Sequence, residues 1–380
     1  MTTPESCGSS NRDQRLSLVV RYNQIENAEF FAVLRVRIQH YFKSNELSIY
    51  AEDVAYAKAI VLIGAYALTY YTLLHTSAFD LYLILCVVLG MLKIFIALNI
   101  AHDAAHRAFF RNRKLNDLML FTFDALGANG YMWKLRHVHS HHAFTNVPDH
   151  DADIKQSALV RIFPNSPLSG LHSYQHLYMP VLYGFYSLHW LLFRDFKDFI
   201  NTPPNNHLTY HRKVELIRLI LGKLIYFTMM ILVPFQLLAL EFYQVILGFM
   251  VMQMSASYTV AIALASAHVG EHAEFPEPDR TGQLPYSFLM HQLITTTDFA
   301  TDSKLLTHLY GGFNHHVIHH LFPNICHIHY PPLTKILKNT CKEYGIGYNE
   351  NKTLIDAINA HLQLLKSRSK NNLTVAMPEF

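Results

Sequence analysis

Three short runs of histidine carry the chemistry open to this chain: His102-x-x-x-His106, His137-x-x-x-His141-His142 and His316-x-x-His319-His320. Spacings of three or four residues place side chains on one face of a helix, so each run can turn its imidazoles toward a common point. One such pair is expected by chance among 25 histidines, but three runs, two of them ending in a doublet, are not. Many neutral nitrogens and few thiolates favour a redox-capable transition-metal cluster over calcium, magnesium or a structural zinc finger. His268 stands alone at the end of an apolar stretch and would bring the candidate ligands to nine. That number can hold two metals with positions left open, which suits dioxygen chemistry. Zinc has no redox chemistry, and iron is the usual metal for oxygen activation at non-haem sites. The HExxH pattern of zinc proteases is absent, which argues against peptide hydrolysis.

The neighbours of these runs divide into partners and bystanders. Asp103 either orients a ligand through its second nitrogen or lies on solvent. Asp151 and Asp153 either fix imidazole tautomers or solvate a loop, while Asp149 and His150 read as loop residues. Asn314 is a further candidate to support the third run. His139 points away from the His137/His141 face if the segment is helical, and His315, His327 and His329 are not expected to bind metal. Gly311-Gly312 permits the tight chain entry that a crowded site needs.

The elements that must present these residues are apolar. The chain has 380 residues, of which 51% are hydrophobic and only 16% charged, the balance of a membrane protein with a substantial polar part. Apolar stretches at about 59–76, 81–100, 219–240 and 244–267 are each near the ~20 residues that cross ~30 Å of hydrocarbon. They pair as two hairpins whose short links lack Lys and Arg, whereas Arg111–Lys114 and the C-terminal third are basic. The positive-inside rule then places both termini and all three histidine runs in the cytosol. Two weaker runs, Leu115–Ala128 and Met179–Phe193, read as helices on or dipping into the interface, since a single crossing between them would separate the second and third histidine runs. Residues 1–25 and 366–380 read as polar tails, and 26–58 as a region with an amphipathic helix ahead of the membrane. Pro203-Pro204, Pro276 to Pro278 and Pro331-Pro332 mark turns. Lys93 lies inside the second span, where it either snorkels along its neighbours or faces a bundle interior or substrate path. The four cysteines show no C-x-x-C spacing and read as reduced thiols, and no cleaved targeting peptide is expected. A net charge of +3 without a basic domain gives no sign of a nucleic-acid partner.

The segments HDAAH, WKLRHVHSHHAFTN with DADI, TTTDFA and GGFNHHVIHHLFPNICHIHYP resemble the membrane fatty acid desaturases, from about residue 30 to about residue 350. The likeness is nearest to bacterial acyl-CoA desaturases related to the front-end group. It implies an all-α integral membrane protein with four transmembrane helices and a cytosolic helical cap housing a di-iron site. It further implies O2-dependent formation of a cis double bond in an acyl-CoA or acyl-lipid. The implied iron ligands are His102, His106, His137, His141, His142, His268, His316, His319 and His320. Departures from the family pattern are Val138 in place of Asn, His316 in place of the front-end Gln, Ile318 in place of Glu, and Leu264 in place of an asparagine that meets iron through water. The segment before the first span holds one histidine, His40, too few for two axial haem ligands, so a separate electron donor of ferredoxin or cytochrome b5 type is expected. A di-iron hydroxylase on the same scaffold would share these features, and mass analysis of products would separate the two. A membrane zinc hydrolase would hold zinc and need no oxygen. A metal transporter would place its site near the midplane between broken helices.

Overall fold

The computed structural model describes residues 19–23, 27–155, 157–201 and 213–370. The described chain is mostly helical. It opens with α1 (Ala28–Ser44), α2 (Asp53–Leu74) and α3 (Phe79–Ala105). Three short helices follow, α4 (Arg113–Met119), α5 (Phe121–Ala125) and α6 (Gly130–Arg136). Next come α7 (Gln175–Tyr183) and α8 (Tyr186–His189), the latter running on through Trp190–Arg194 and Asp195–Ile200. Two long helices, α9 (Lys213–Leu237) and α10 (Phe242–His268), precede α11 (Phe288–Thr295), α12 (Lys304–Leu309) and α13 (His316–Leu321). The chain closes with α14 (Tyr330–Glu343) and α15 (Leu354–Ser367). Two-residue strands β1 (Asp298–Phe299) and β2 (Glu350–Asn351) pair in parallel, Asp298 opposite Glu350.

Helices α2, α3, α9 and α10 have 22 to 27 residues each and are apolar enough to cross a membrane. At ~1.5 Å per residue this is enough to traverse ~30 Å of hydrocarbon. Ile60, Val61 and Leu68 on α2, and Leu221, Leu224 and Ile225 on α9, are exposed. Such apolar surface is stable against lipid and costly against water. All four helices start earlier than hydropathy indicates, because each begins with polar or aromatic residues that a hydrophobic window discounts. Within the bundle α3 packs along α10. A Cβ on Gly90 would lie 2.3 Å from the Met252 carbonyl oxygen, and one on Gly248 would lie 2.2 Å from the Tyr82 ring. Small residues are what let two membrane helices approach so closely. The weaker runs at 115–128 and 179–193 fall on short helices that leave Leu118, Phe121, Val181 and Phe193 exposed.

The apolar face of α1 (Phe30, Phe31, Leu34, Ile38, Phe42) is covered by protein, packing with Leu333 and Leu337 of α14. Two expected features differ. Pro331 and Pro332 sit in the first turn of α14, where the missing N–H costs nothing, so they start a helix in place of a turn. The expected tails are partly tied down: Arg21 exchanges backbone hydrogen bonds with Gly282 and Leu284, and α15 continues to Ser367 with the Arg368 carbonyl accepting from Arg161. Residues 1–18, 24–26 and 371–380 lie outside the described residues, as do Pro203 and Pro204.

Candidate metal centre

Each histidine run is delivered by a helix end. The last turns of α3 widen from α to π geometry over Ala97–Ala101, directly before His102. Helix α6 is started by the Asn129 side chain, which accepts from the Met132 N–H, and it also widens into a π turn, His137–His141. The His142 N–H donates to the His137 carbonyl at 3.0 Å, five residues back. Such wide turns cluster at functional sites. Helix α13 carries the third run, and its Val317 N–H donates to the buried Asp298 carboxyl at 2.8 Å. The chain enters it through Gly311 and Gly312, both at positive φ, and a Cβ on Gly311 would meet the Leu98 carbonyl oxygen at 2.6 Å. His268 is the last residue of α10.

All nine imidazoles are buried, the most exposed being His106 at 9%. They form two groups of four. In the first, His102, His106, His137 and His319 each offer a nitrogen within 4.8 Å of the others. In the second, His141, His268, His316 and His320 do the same. His142 stands between, its Nε2 3.2 Å from His137 and 3.0 Å from His319, its ring stacked on His320 at 4.2 Å. The expectation that each run turns its imidazoles toward a common point holds for His102 and His106 and needs correction for the other two runs. The π turn sends His137 and His141 to different groups, and the third run splits between His319 and the His316/His320 pair.

The surrounding hydrogen bonds set which nitrogens are bare. Asp153 accepts from His137 Nδ1 and Asp151 from His141 Nδ1, each at 2.9 Å, so both carboxylates act on imidazoles and not as loop solvators. Gln292 Oε1 accepts from His320 Nδ1 at 2.8 Å, and the Tyr330 hydroxyl pairs with His319 Nδ1 at 2.9 Å. A neutral imidazole with its proton on Nδ1 presents a lone pair at Nε2. Burial, reinforced by neighbouring imidazoles, holds His106, His142, His316, His319 and His320 well below the ordinary histidine pKa. Burial also brings His137 down to about 3 against the opposing pull of Asp153. His141 goes the other way: burial lowers it, but the charge and hydrogen bond of Asp151 together with the charge of Asp153 make the net shift upward. Burial alone would raise Asp153, yet the donors His137 and Arg136 hold its carboxyl well below the usual range.

These residues fit a bound metal. His102 Nε2 and His106 Nε2 are buried with no hydrogen-bond partner. In the second group His268 Nε2 lies 3.1 Å from His141 Nε2 and 2.7 Å from His316 Nε2, and His316 Nε2 lies 3.1 Å from His320 Nε2. Nitrogens at such distances need a proton or a cation between each pair. Four converging imidazoles offer more lone pairs than ring protons can bridge once Nδ1 of His141 and His320 is protonated, and nitrogen-only donor sets suit iron, zinc, copper or nickel.

Other sequence candidates separate cleanly. Asp103 is buried, its Oδ1 3.8 Å from His102 Nδ1 and its Oδ2 2.7 Å from His327 Nδ1. Asn314 is not brought to the imidazoles, since its amide donates to the Ala300 carbonyl and the Thr307 hydroxyl. Exposed His139 and Asp149 lie outside both groups, and His315 is held between the Thr307 and Thr334 hydroxyls. Leu264 packs into an apolar cluster. Sequence reasoning passed over Gln292, Tyr330 and Asn146. The last, at φ 58, donates to the carbonyls of His268, Glu274 and Thr295, and its N–H donates to Asp151. Its only sequence signal was its place in HHAFTN.

Beside the first group lies an apolar cavity walled by Leu98, Phe123, Leu126, Trp133 and Trp190. Trp133 stacks on His137 at 4.4 Å, and Trp190 is covered by the guanidiniums of Arg136 and Arg194. Lys93 also lines the cavity and does not snorkel. Its Nζ lies 3.1 Å from Gln253 Oε1, 3.2 Å from the Tyr226 hydroxyl and 3.3 Å from Ser187 Oγ.

Residues 79–352 match the fatty acid desaturase family model. The chain is 31% identical to an sn-1 linoleoyl-lipid 6-desaturase of Synechocystis sp., over 90% of this chain and 96% of that protein. It is 30% identical to an acyl-lipid (8-3)-desaturase of Physcomitrium patens, over 94% of this chain and 75% of the relative. An acyl-lipid (8-3)-desaturase of Mortierella alpina is 29% identical over 90% and 78%. With its buried histidines gathered where the apolar helices α3 and α10 end, the chain belongs to the fatty acid desaturase family.

Proposed function

We propose that this desaturase acts on acyl chains carried by membrane lipids, inserting a cis double bond by oxygen-dependent oxidation of two adjacent methylenes. One observation carries the reading: two four-imidazole groups, with His142 between them, beside an apolar cavity. The relatives named as acyl-lipid desaturases favour a lipid-borne chain over a coenzyme A ester. Two C–H bonds break, a C=C bond forms and one dioxygen becomes two waters. Two electrons come from the C–H bonds, and two more with two protons come from an external donor of ferredoxin or cytochrome b5 type. Two iron ions held by the nine imidazoles would supply the oxidising power that an unactivated methylene requires.

The chain's own residues do the rest. Asp151, Asp153, Gln292 and Tyr330 fix the rings on which the metal depends. Trp133 forms a wall shared by His137 and the cavity, so a chain lying there is held against the site with water excluded. The Lys93 cluster marks the far wall, nine residues before His102, on the order of 13 Å along the helix. In the membrane, α2–α3 and α9–α10 form two hairpins, with α4, α5, α7 and α8 at the interface. Both termini and the metal centre face the cytosol, in keeping with the basic residues at Arg111–Lys114.

The test is expression in a host that makes linoleoyl lipids but no further unsaturation, with products mapped by mass spectrometry. A new double bond, mass lower by two hydrogens, in lipid-esterified chains is expected, with about two iron atoms per purified chain. Gain of an oxygen atom would overturn the reading in favour of a hydroxylase, and one zinc with no iron would overturn the metal.

A further inference from the structure

The three carboxylates beside the histidine runs are not used alike. Asp151 and Asp153 each take an imidazole Nδ1 at 2.9 Å, whereas Asp103 stands 3.8 Å from His102 Nδ1. Its Oδ2 is occupied by other donors: His327 Nδ1 at 2.7 Å, the Cys326 thiol at 3.0 Å and the His327 N–H at 3.2 Å. The far nitrogen of His327, Nε2, lies 2.6 Å from Lys58 Nζ. The directions of these bonds follow from the groups. An ammonium only donates, so Nε2 accepts and the ring proton sits on Nδ1, where it donates to the carboxylate. Lys58 on α2 thereby serves as the counter-ion of Asp103 on α3, with the imidazole of the 321–330 segment between them. The node is buried at Asp103, Cys326 and His327. Its residues belong to neither group of four, and it adjoins only the first group, through His102.

Resting on the metal reading above, we propose that Lys58 and His327 are positioning residues for the first imidazole group alone. Acting through Asp103, they lock the end of α3 that carries His102 and His106 against the chain that leaves the third histidine run. The second group (His141, His268, His316, His320) has its own carboxylate, Asp151, and no contact with this node.

The experiment counts iron per chain in the full-length protein, purified in detergent and loaded with ferrous ion, alongside its activity. His327→Leu is expected to lower retained iron from about two atoms to about one, through a roughly 10–100-fold weaker hold at one site. His327→Asn, whose amide N–H takes the place of Nδ1, is expected to restore the second atom. Lys58→Met should act in the direction of His327→Leu, and Lys58→Arg should behave as wild type. Asp151→Asn serves as the mirror, acting on the other group. Retention of both atoms in His327→Leu, joint loss of both, or no rescue by Asn would each overturn the proposal. Should His327→Leu fail to fold, the half-buried Lys58→Met decides, and full iron in that variant overturns the proposal. Wild-type protein without iron would instead overturn the metal reading itself.

Discussion

Asp151 and Asp153, two residues apart, hold imidazoles that belong to different groups, so the local chemistry is settled by side chains lying ten and sixteen residues from their partners. Replacing His319, a member of the first group that also lies 3.0 Å from His142, should abolish turnover, whereas exposed His139→Ala should retain most of it. Equal losses in a product assay would contradict the assignment. His268→Ala should lower iron content and activity together, because loss of one ligand opens a position and loosens the metal. Full iron with full activity would remove His268 from the set. At this scale the imidazoles were legible because they fall inside short motifs, whereas the two aspartates could be read as imidazole partners or as loop residues until their hydrogen bonds were seen. Gln292 and Tyr330 were not legible: Gln292 reaches His320 from a segment with no spacing signal, and Tyr330, though inside the third motif, has no spacing that ties it to His319 eleven residues back.

Among the elements, the π turn at His137–His141 shows why helical spacing predicted convergence and not its details. A rule built on 3.6 residues per turn assigns His137 and His141 to one face. The wider turn instead pairs His137 with His142 and frees His141 for the second group. No residue type signals such a turn. The glycine pair was readable, and its cause is now a specific backbone crossing at Leu98. Gly311→Ala combines an unfavourable positive φ with a 2.6 Å contact to a carbonyl oxygen, and should cost on the order of 1–3 kcal/mol. A lower thermal midpoint and displaced iron are expected, and an unchanged midpoint would show that the crossing can relax.

For the whole molecule, the four apolar helices were legible from hydropathy, while the arrangement of short helices around the histidines was not, because it depends on contacts between distant segments, such as Arg37 with Thr340, 303 residues apart. The burial of so many neutral histidines gives a pH dependence. His291 and His315, outside both groups, are each brought down by burial to about 4. Below the unfolded value near 6.5 the unfolded chain binds more protons, so their stability is present above ~6.5 and is lost as pH falls toward 4, on the order of 3 kcal/mol each. Asp298, raised by burial to about 7, works in the opposite sense between ~4 and 7, as do Asp124 and Glu274, also raised by burial, but the buried histidines held below their ordinary value outnumber them. The metal-free protein should therefore melt at progressively lower temperature from pH 7 to pH 5, and a flat or rising midpoint would refute this. The close packing of α3 on α10 has a mechanical consequence. Tyr82 lies 20 residues before His102 (102 − 82), and Gly248, which it touches, lies 20 before His268 (268 − 248). The two helices thus rise in step from a common footing, and in the membrane placement proposed above a change in bilayer thickness would tilt them as a pair and leave α2 and α9, with their exposed apolar faces, to absorb the mismatch. Across vesicles of increasing acyl length, substrate entry should vary while iron retention stays constant.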